Sequence, residues 1–173
     1  MAWQGTTLLR RAAQAALGAG LGPVLVILGA EADACRRELE GQDVRIVEHA
    51  GWAEGMGSTI RAAAIAARSL GARGLLLMTC DQPGISSGEL VALSDAQSRS
   101  GQPMAAAGYA GTVGIPALFT GPFLEALSAL GGEAGAKGLL EENRNQVAVV
   151  PCDAAAVDVD LPGDIKEPIR PDP

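Results

Sequence analysis

Two uninterrupted apolar runs, VLVILG at residues 24–29 and GLLLMT at residues 74–79, limit the folds open to this chain more than any other feature. Neither alternates with polar residues, so each reads as a strand covered on both faces. Such strands belong to parallel sheets, whose crossover helices blanket both sides. Helical spacing fills the intervals, at about 7–17, 31–39, 59–70, from 86 onward, 122–130 and 133–143. DVRIVEH (43–49) alternates in period two; QPMAAAGY (102–109) and QVAVVP (146–151) complete the extended segments. GTVGIPALF (111–119) reads as a loop with a short strand. Repeated β-α-β units with short connections predict an α/β fold, a three-layer, mostly parallel, doubly wound, Rossmann-like sheet. The length of 173 residues suits one domain over 1–173, with 163–173 a frayed, proline-rich tail.

Charge removes several functions. The chain carries 13 Lys and Arg against 20 Asp and Glu, net -7, so it lacks the basic footprint that nucleic acid requires. Cys35, Cys80 and Cys152 are scattered and His49 is the sole histidine, which leaves too few clustered ligands for zinc. The thiols read as reduced, in a cytoplasmic protein. The N-terminus shows no signal-peptide pattern, and no apolar run approaches the length of a membrane span.

The strongest chemical signal is LLLMTCDQPG (75–84), where a buried strand runs into Asp81. A carboxylate there sits at the rim where open α/β sheets bind ligands, although a turn or cap role is the bland reading. The tail VDVDLP (157–162) adds Asp158 and Asp160, one of which is expected to join Asp81 while the other caps the turn after Pro162. Two oxygen ligands from separate segments, completed by phosphate and water, is a common way to hold Mg²⁺. Otherwise both are solvated turn residues.

GWAEGMGST (51–59) has glycines before a helix and Ser58 placed to cap it. It lacks the spacing and lysine of a Walker A loop, yet such glycines let backbone approach an anion or a base edge; a tight turn is the alternative. GISSG (84–88) matches the G-x-S-x-G nucleophile elbow. That chemistry needs a histidine after the serine, and His49 precedes it and reads as a strand-end surface residue. Ser86 and Glu89 have instead the spacing of a capping box.

In chain order, VLVILG from Val24, GWAEGMGSTIRAA from Gly51, LLLMTCDQPGI from Leu75, GTVGIPALF from Gly111, GGEAGAKGLL from Gly131 and VDVDLPGDI from Val157 resemble the MobA-like nucleotidyltransferases. The tetrad Cys80-Asp81-Gln82-Pro83 is most similar to the molybdenum cofactor cytidylyltransferase branch. The resemblance implies a fold of the nucleotide-diphospho-sugar transferase type. It also implies transfer of CMP from CTP to the phosphate of a molybdopterin-type acceptor, with release of pyrophosphate. Asp81 would be catalytic, binding Mg²⁺ and nucleotide, with Asp160 or Asp158 as its partner. Gly55, Gly57 and Ser58 would lie near the nucleotide, Gly135 and Lys137 near the acceptor. A molybdoenzyme or molybdenum-insertion protein would be the partner. Ile115 and Glu133 depart from the branch's usual histidine and aspartate. The family opens with a strand and a loop of the form L-A-A-G-x-S-x-R-M-G; here residues 1–5 already correspond to the segment after it. The resemblance thus implies that this first strand, which lies beside the strands matching VLVILG and LLLMT, is missing. A non-catalytic binding module, or a transferase for another small acceptor, is the alternative reading.

Overall fold

The computed structural model describes residues 2–3 and 5–159, with side chains from residue 5 onward. Asp160 and the proline-rich end lie outside the described residues. A short hairpin, β1 (Ala2–Trp3) and β2 (Thr6–Thr7), leads into α1 (Leu8–Ala19). Thr7 Oγ1 accepts from the Arg10 N–H at 3.3 Å, serving an amide that has no partner inside the first turn. Gly20, in the left-handed region at φ 64, ends the helix.

β3 (Val24–Leu28), α2 (Ala32–Glu38) and β4 (Val44–Glu48) form a β-α-β unit whose strands pair in parallel, Val24 opposite Val44 through Leu28 opposite Glu48. After α3 (Met56–Ser69) come β5 (Gly74–Leu77), α4 (Ser87–Ser100), β6 (Met104–Tyr109), β7 (Thr112–Thr120), α5 (Pro122–Leu127), α6 (Ala136–Glu142) and β8 (Val147–Pro151). The last four strands make a second sheet in the order β5-β7-β6-β8. β7 is antiparallel to both neighbours while β6 and β8 are parallel, so β5, β6 and β8 share one direction. Among the described residues β3 and β5 share no ladder, and each pairs with one strand only.

Two local readings need correction. All but the first residue of the segment at 111–119 belong to the nine-residue strand β7 (Thr112–Thr120), not to a loop with a short strand. Its turn from β6 uses Ala110 at φ 47 and Gly111 at φ 75, and positive φ at both positions matches the twist of a two-residue hairpin. Alanine is a poor signal for that turn, which hid the strand. Likewise α3 starts at Met56, so Ser58 lies inside its first turn rather than at the cap. Gly55, at φ 115, turns the chain into the helix, and the Gly57 N–H donates to the Gly132 carbonyl at 2.9 Å. A neighbouring loop serves the donor that a side-chain cap would have served.

Helices cover both faces of the four-stranded sheet. Met104, Ala106, Ala117 and Phe119 pack with Ala64 of α3, Phe123, Leu124 and Leu127 of α5 and Leu140 of α6. Ala107, on the opposite face from Ala106, packs with Ile85, Leu90 of α4, Cys152 and Ala155, against Ala15 and Ala19 of α1. This is the three-layer arrangement expected from the sequence.

Candidate active site

Because β5, β6 and β8 run the same way, the segments that follow them collect at one rim of the sheet. After β5 come Thr79, Cys80, Asp81 and Gln82; β6 ends on Tyr109; after β8 come the 3-10 turn Asp153–Ala156 and then Asp158 and Val159. The Val159 N–H donates to the Asp81 carbonyl oxygen at 2.8 Å, which lays the tail along the Asp81 loop. Val159 is 2% exposed and turned into the core, while Asp158 is exposed. Asp81 is half-buried, and its Oδ1 accepts from the Thr79 hydroxyl. The structure therefore brings together Asp81 and the Asp158 segment.

Gln82 holds this loop down. It is buried, and its Nε2 donates to the carbonyls of Ala155 at 2.9 Å and Ile115 at 3.3 Å. The Ile115 carbonyl is available because Pro116 interrupts the ladder: Ala106 lies opposite Ala117, but Ala107 lies opposite Gly114. From the other side, Arg11 of α1 donates to the Pro83 carbonyl at 2.6 Å. Gln82 Oε1 has no hydrogen-bond partner among the described residues.

Tyr109, the one tyrosine of the chain, completes the rim. Burial raises its phenol above the ordinary range, and the charges of Asp158 and Asp81 raise it further, while the nearby Gln82 amide lowers it. It stays a neutral donor beside two carboxylates. Gly114 makes room for it, since a Cβ there would stand 2.5 Å from the Tyr109 hydroxyl oxygen. Cys80 is exposed as a residue, yet desolvation around its sulfur, then the Asp81 charge, pushes the thiol up and away from the nucleophilic thiolate.

Among the described residues no three of His, Cys, Asp and Glu cluster as a metal cage. The oxygen donors of Asp81 and the adjoining Asp158 suit instead a hard divalent ion that keeps waters and substrate phosphates as its other ligands.

The glycine loop forms a second cluster. A Cβ on Gly55 would stand 2.6 Å from the Gly132 carbonyl oxygen, and one on Gly57 2.7 Å from that of Ala134. No side chain fits at either position. Arg61 ties the same two loops, donating to Glu54 Oε2 at 2.7 Å and to the Leu130 carbonyl at 2.8 Å. Gly55, Gly57 and Ser58 thus lie against the segment that carries Gly135, the residue before α6, and Lys137, which is exposed with Nζ 3.9 Å from Glu141 Oε1. Ser58 itself is 0% exposed. His49 is not the surface residue expected: it is half-buried, with Nε2 2.8 Å from Ser58 Oγ. The elbow serine has another task, since Ser86 and Glu89 form a reciprocal capping box on α4. Tyr109, Thr79 and Arg11 escaped the sequence reading, and no local pattern marks any of them.

Residues 1–147 match the family described as the MobA-like NTP transferase domain. No curated protein matches the chain. Among solved structures, Rv0371c from Mycobacterium tuberculosis H37Rv is 28% identical, with a TM-score of 0.76 over 95% of this chain and 84% of that one. Rv0371c in complex with manganese gives 28% identity and a TM-score of 0.75, over 95% and 87% of the two chains. CMP:2-keto-3-deoxy-manno-octonic acid synthetase complexed with CTP has the same fold at 13% identity, with a TM-score of 0.69 over 94% and 86%. The fold is that of the nucleotide-diphospho-sugar transferases. No helix among the described residues is long and apolar enough to cross a membrane.

Proposed function

The chain belongs to the MobA-like NTP transferase family, and on that premise we propose that it transfers CMP from CTP to the phosphate of a molybdopterin-type acceptor. An acceptor phosphate oxygen forms a bond to the α-phosphorus of CTP, and the bond from that phosphorus to the bridging oxygen breaks, releasing pyrophosphate. The observation that carries the reading is the Val159–Asp81 hydrogen bond, which sets a second acidic segment beside the carboxylate at the end of β5.

Asp81, with Asp158 or Asp160, would hold Mg²⁺ or the Mn²⁺ named in the Rv0371c complex. A divalent ion bound there neutralises charge on the phosphate oxygens and fixes their orientation. The rest is positioning, which dominates phosphoryl chemistry. Thr79 orients the Asp81 carboxylate and Gln82 holds its loop in place, and the protonated Tyr109 hydroxyl donates toward the charged oxygens at the rim. Gly55, Gly57 and Ser58 lie near the nucleotide, their turn held by the Gly57 N–H bond to the Gly132 carbonyl, and Gly135 and Lys137 border the acceptor, Lys137 supplying a positive charge. The Cys80-Asp81-Gln82-Pro83 tetrad supports CTP over GTP. A molybdoenzyme or its metal-insertion protein would take the product.

Pyrophosphate release from CTP and from GTP, each with molybdopterin and either Mg²⁺ or Mn²⁺, tests the reading. CTP should be preferred, and Asp81→Asn should abolish release while leaving the circular dichroism unchanged. Preferential use of GTP would move the chain to the guanylyl branch. Full turnover by Asp81→Asn at limiting metal would remove the metal assignment, and turnover only with a different phosphorylated acceptor would replace molybdopterin.

A further inference from the structure

We infer that His49 is a positioning residue: its imidazole carries a proton on Nε2 and, through Ser58, holds the loop from Gly51 to Ser58 in its ligand-receiving shape. What the loop receives rests on the function proposed above.

Ser58 Oγ has three neighbours, His49 Nε2 at 2.8 Å, the Gly55 carbonyl at 2.8 Å and the Gly51 carbonyl at 3.2 Å. A hydroxyl offers one hydrogen, and both carbonyls only accept. Both carbonyls also accept from the backbone, Gly51 from the Glu54 N–H at 3.0 Å and Gly55 from the Ser58 N–H at 3.1 Å. A bare Nε2 would take the hydroxyl's one hydrogen and leave Oγ facing the Gly55 carbonyl oxygen at 2.8 Å with no hydrogen between them, at a residue that is 0% exposed. With Nε2–H, the imidazole donates into Oγ and the hydroxyl is left to serve the carbonyls, Gly55 first by distance. The geometry therefore selects the Nε2–H form.

The ring is well placed to act as a fixed post. The His49 N–H donates to the Leu28 carbonyl at 2.8 Å, extending the β3–β4 ladder by one residue, and the His49 carbonyl accepts from the Trp52 N–H at 3.2 Å. The ring lies across Gly51, where a Cβ would come within 3.1 Å of its Cε1. Ser58, at the other end, is fixed in the first turn of α3. Between the two, the Gly51 and Gly55 carbonyls are held toward the buried hydroxyl. Each carbonyl keeps a backbone donor, the Glu54 or the Ser58 N–H, so losing the hydroxyl loosens the loop without turning its carbonyls outward. His49 thus acts on the nucleotide at one remove, by stiffening the loop beside it.

His49 is the sole histidine, so its ring nitrogens are unambiguous in a long-range ¹H–¹⁵N spectrum of the whole protein. Nε2 should carry the proton at pH 8. Amide exchange across residues 50–57 should speed up on the order of tenfold in His49→Phe, the scale of one lost buried hydrogen bond. It should return toward the native rate in His49→Gln, whose amide also donates. Gly51→Ala, whose methyl would press on the ring and on Glu54 Oε1, each 3.1 Å away, should speed exchange less than His49→Phe does. In turnover, His49→Phe should raise KM for CTP more than it lowers kcat. An Nδ1–H tautomer, or unchanged exchange in both His49→Phe and Gly51→Ala, would overturn the inference. A native protein that released no pyrophosphate would instead defeat the proposed function, with exchange and spectrum still deciding the role of His49.

Discussion

The β3–β4 pair and the four-stranded sheet invert what hydrophobicity alone would suggest. β3 reads VLVIL, but its first four residues are only half-buried, whereas Met104 to Ala107 of the milder strand MAAAGY are each 0% exposed. β6 has a ladder on both sides and helices on both faces; β3 has one strand partner among the described residues. Burial follows the number of neighbours, and the side chain's own hydrophobicity decides only how much that burial is worth.

The largest expected difference is between truncations. Phe119→Ala in β7, at a position with 0% exposure, should cost about 3–5 kcal/mol, and Ile27→Ala in β3 about 1–2 kcal/mol because less of its surface is removed from water. Urea unfolding of the two variants checks this, and equal losses would mean that β3 is as well packed as β7.

Overpacking sharpens it at a smaller scale. Ala106→Leu in the close-packed sheet should cost about 1–3 kcal/mol, whereas Val26→Leu in β3 should cost under about 1.5 kcal/mol, since a half-open site relaxes. A shift in denaturant midpoint with constant slope is the expected readout; a larger loss at Val26 would mean that β3 is the tighter region.

Helix ends extend the contrast. α4, which packs on the four-stranded sheet, has the Ser86–Glu89 capping box, while the N-cap residue of α2, Glu31, has φ 54 and makes no side-chain cap. Ser86→Ala should cost about 1 kcal/mol. The Ser86 hydroxyl, the largest cause, holds the Glu89 carboxyl below its ordinary range. The folded value lies under the unfolded one, so this stabilisation is present above the unfolded value and fades as pH falls through the folded one. Thermal melts from neutral to acid pH should show that fade in the native chain and less of it in Ser86→Ala. Glu31→Gly should change stability least, by a few tenths of a kcal/mol, because relief of the left-handed backbone is offset by glycine's greater freedom when unfolded.

Much of the local architecture was legible. The apolar runs, the helical spacing and the Ser86–Glu89 pair involve residues a few positions apart, and each became the element expected. Asp81 stood out because a carboxylate rarely ends so apolar a strand. The hairpin at Ala110-Gly111 was hidden because alanine gives no sign of positive φ, and the start of α3 because its first-turn donor is met by a distant carbonyl.

The alternation of helix and strand, the α/β class and the carboxylate that follows β5 can all be read along the chain. Tertiary structure alone decided which strand became the most buried, that Gln82 holds a carbonyl 73 residues away, and that His49 meets Ser58 rather than solvent. The division has a physical cause. Helix spacing, strand alternation and caps depend on interactions within a turn or two of chain. Burial and proton placement depend on sheet order and strand direction, which bring together residues whose local patterns carry no record of each other.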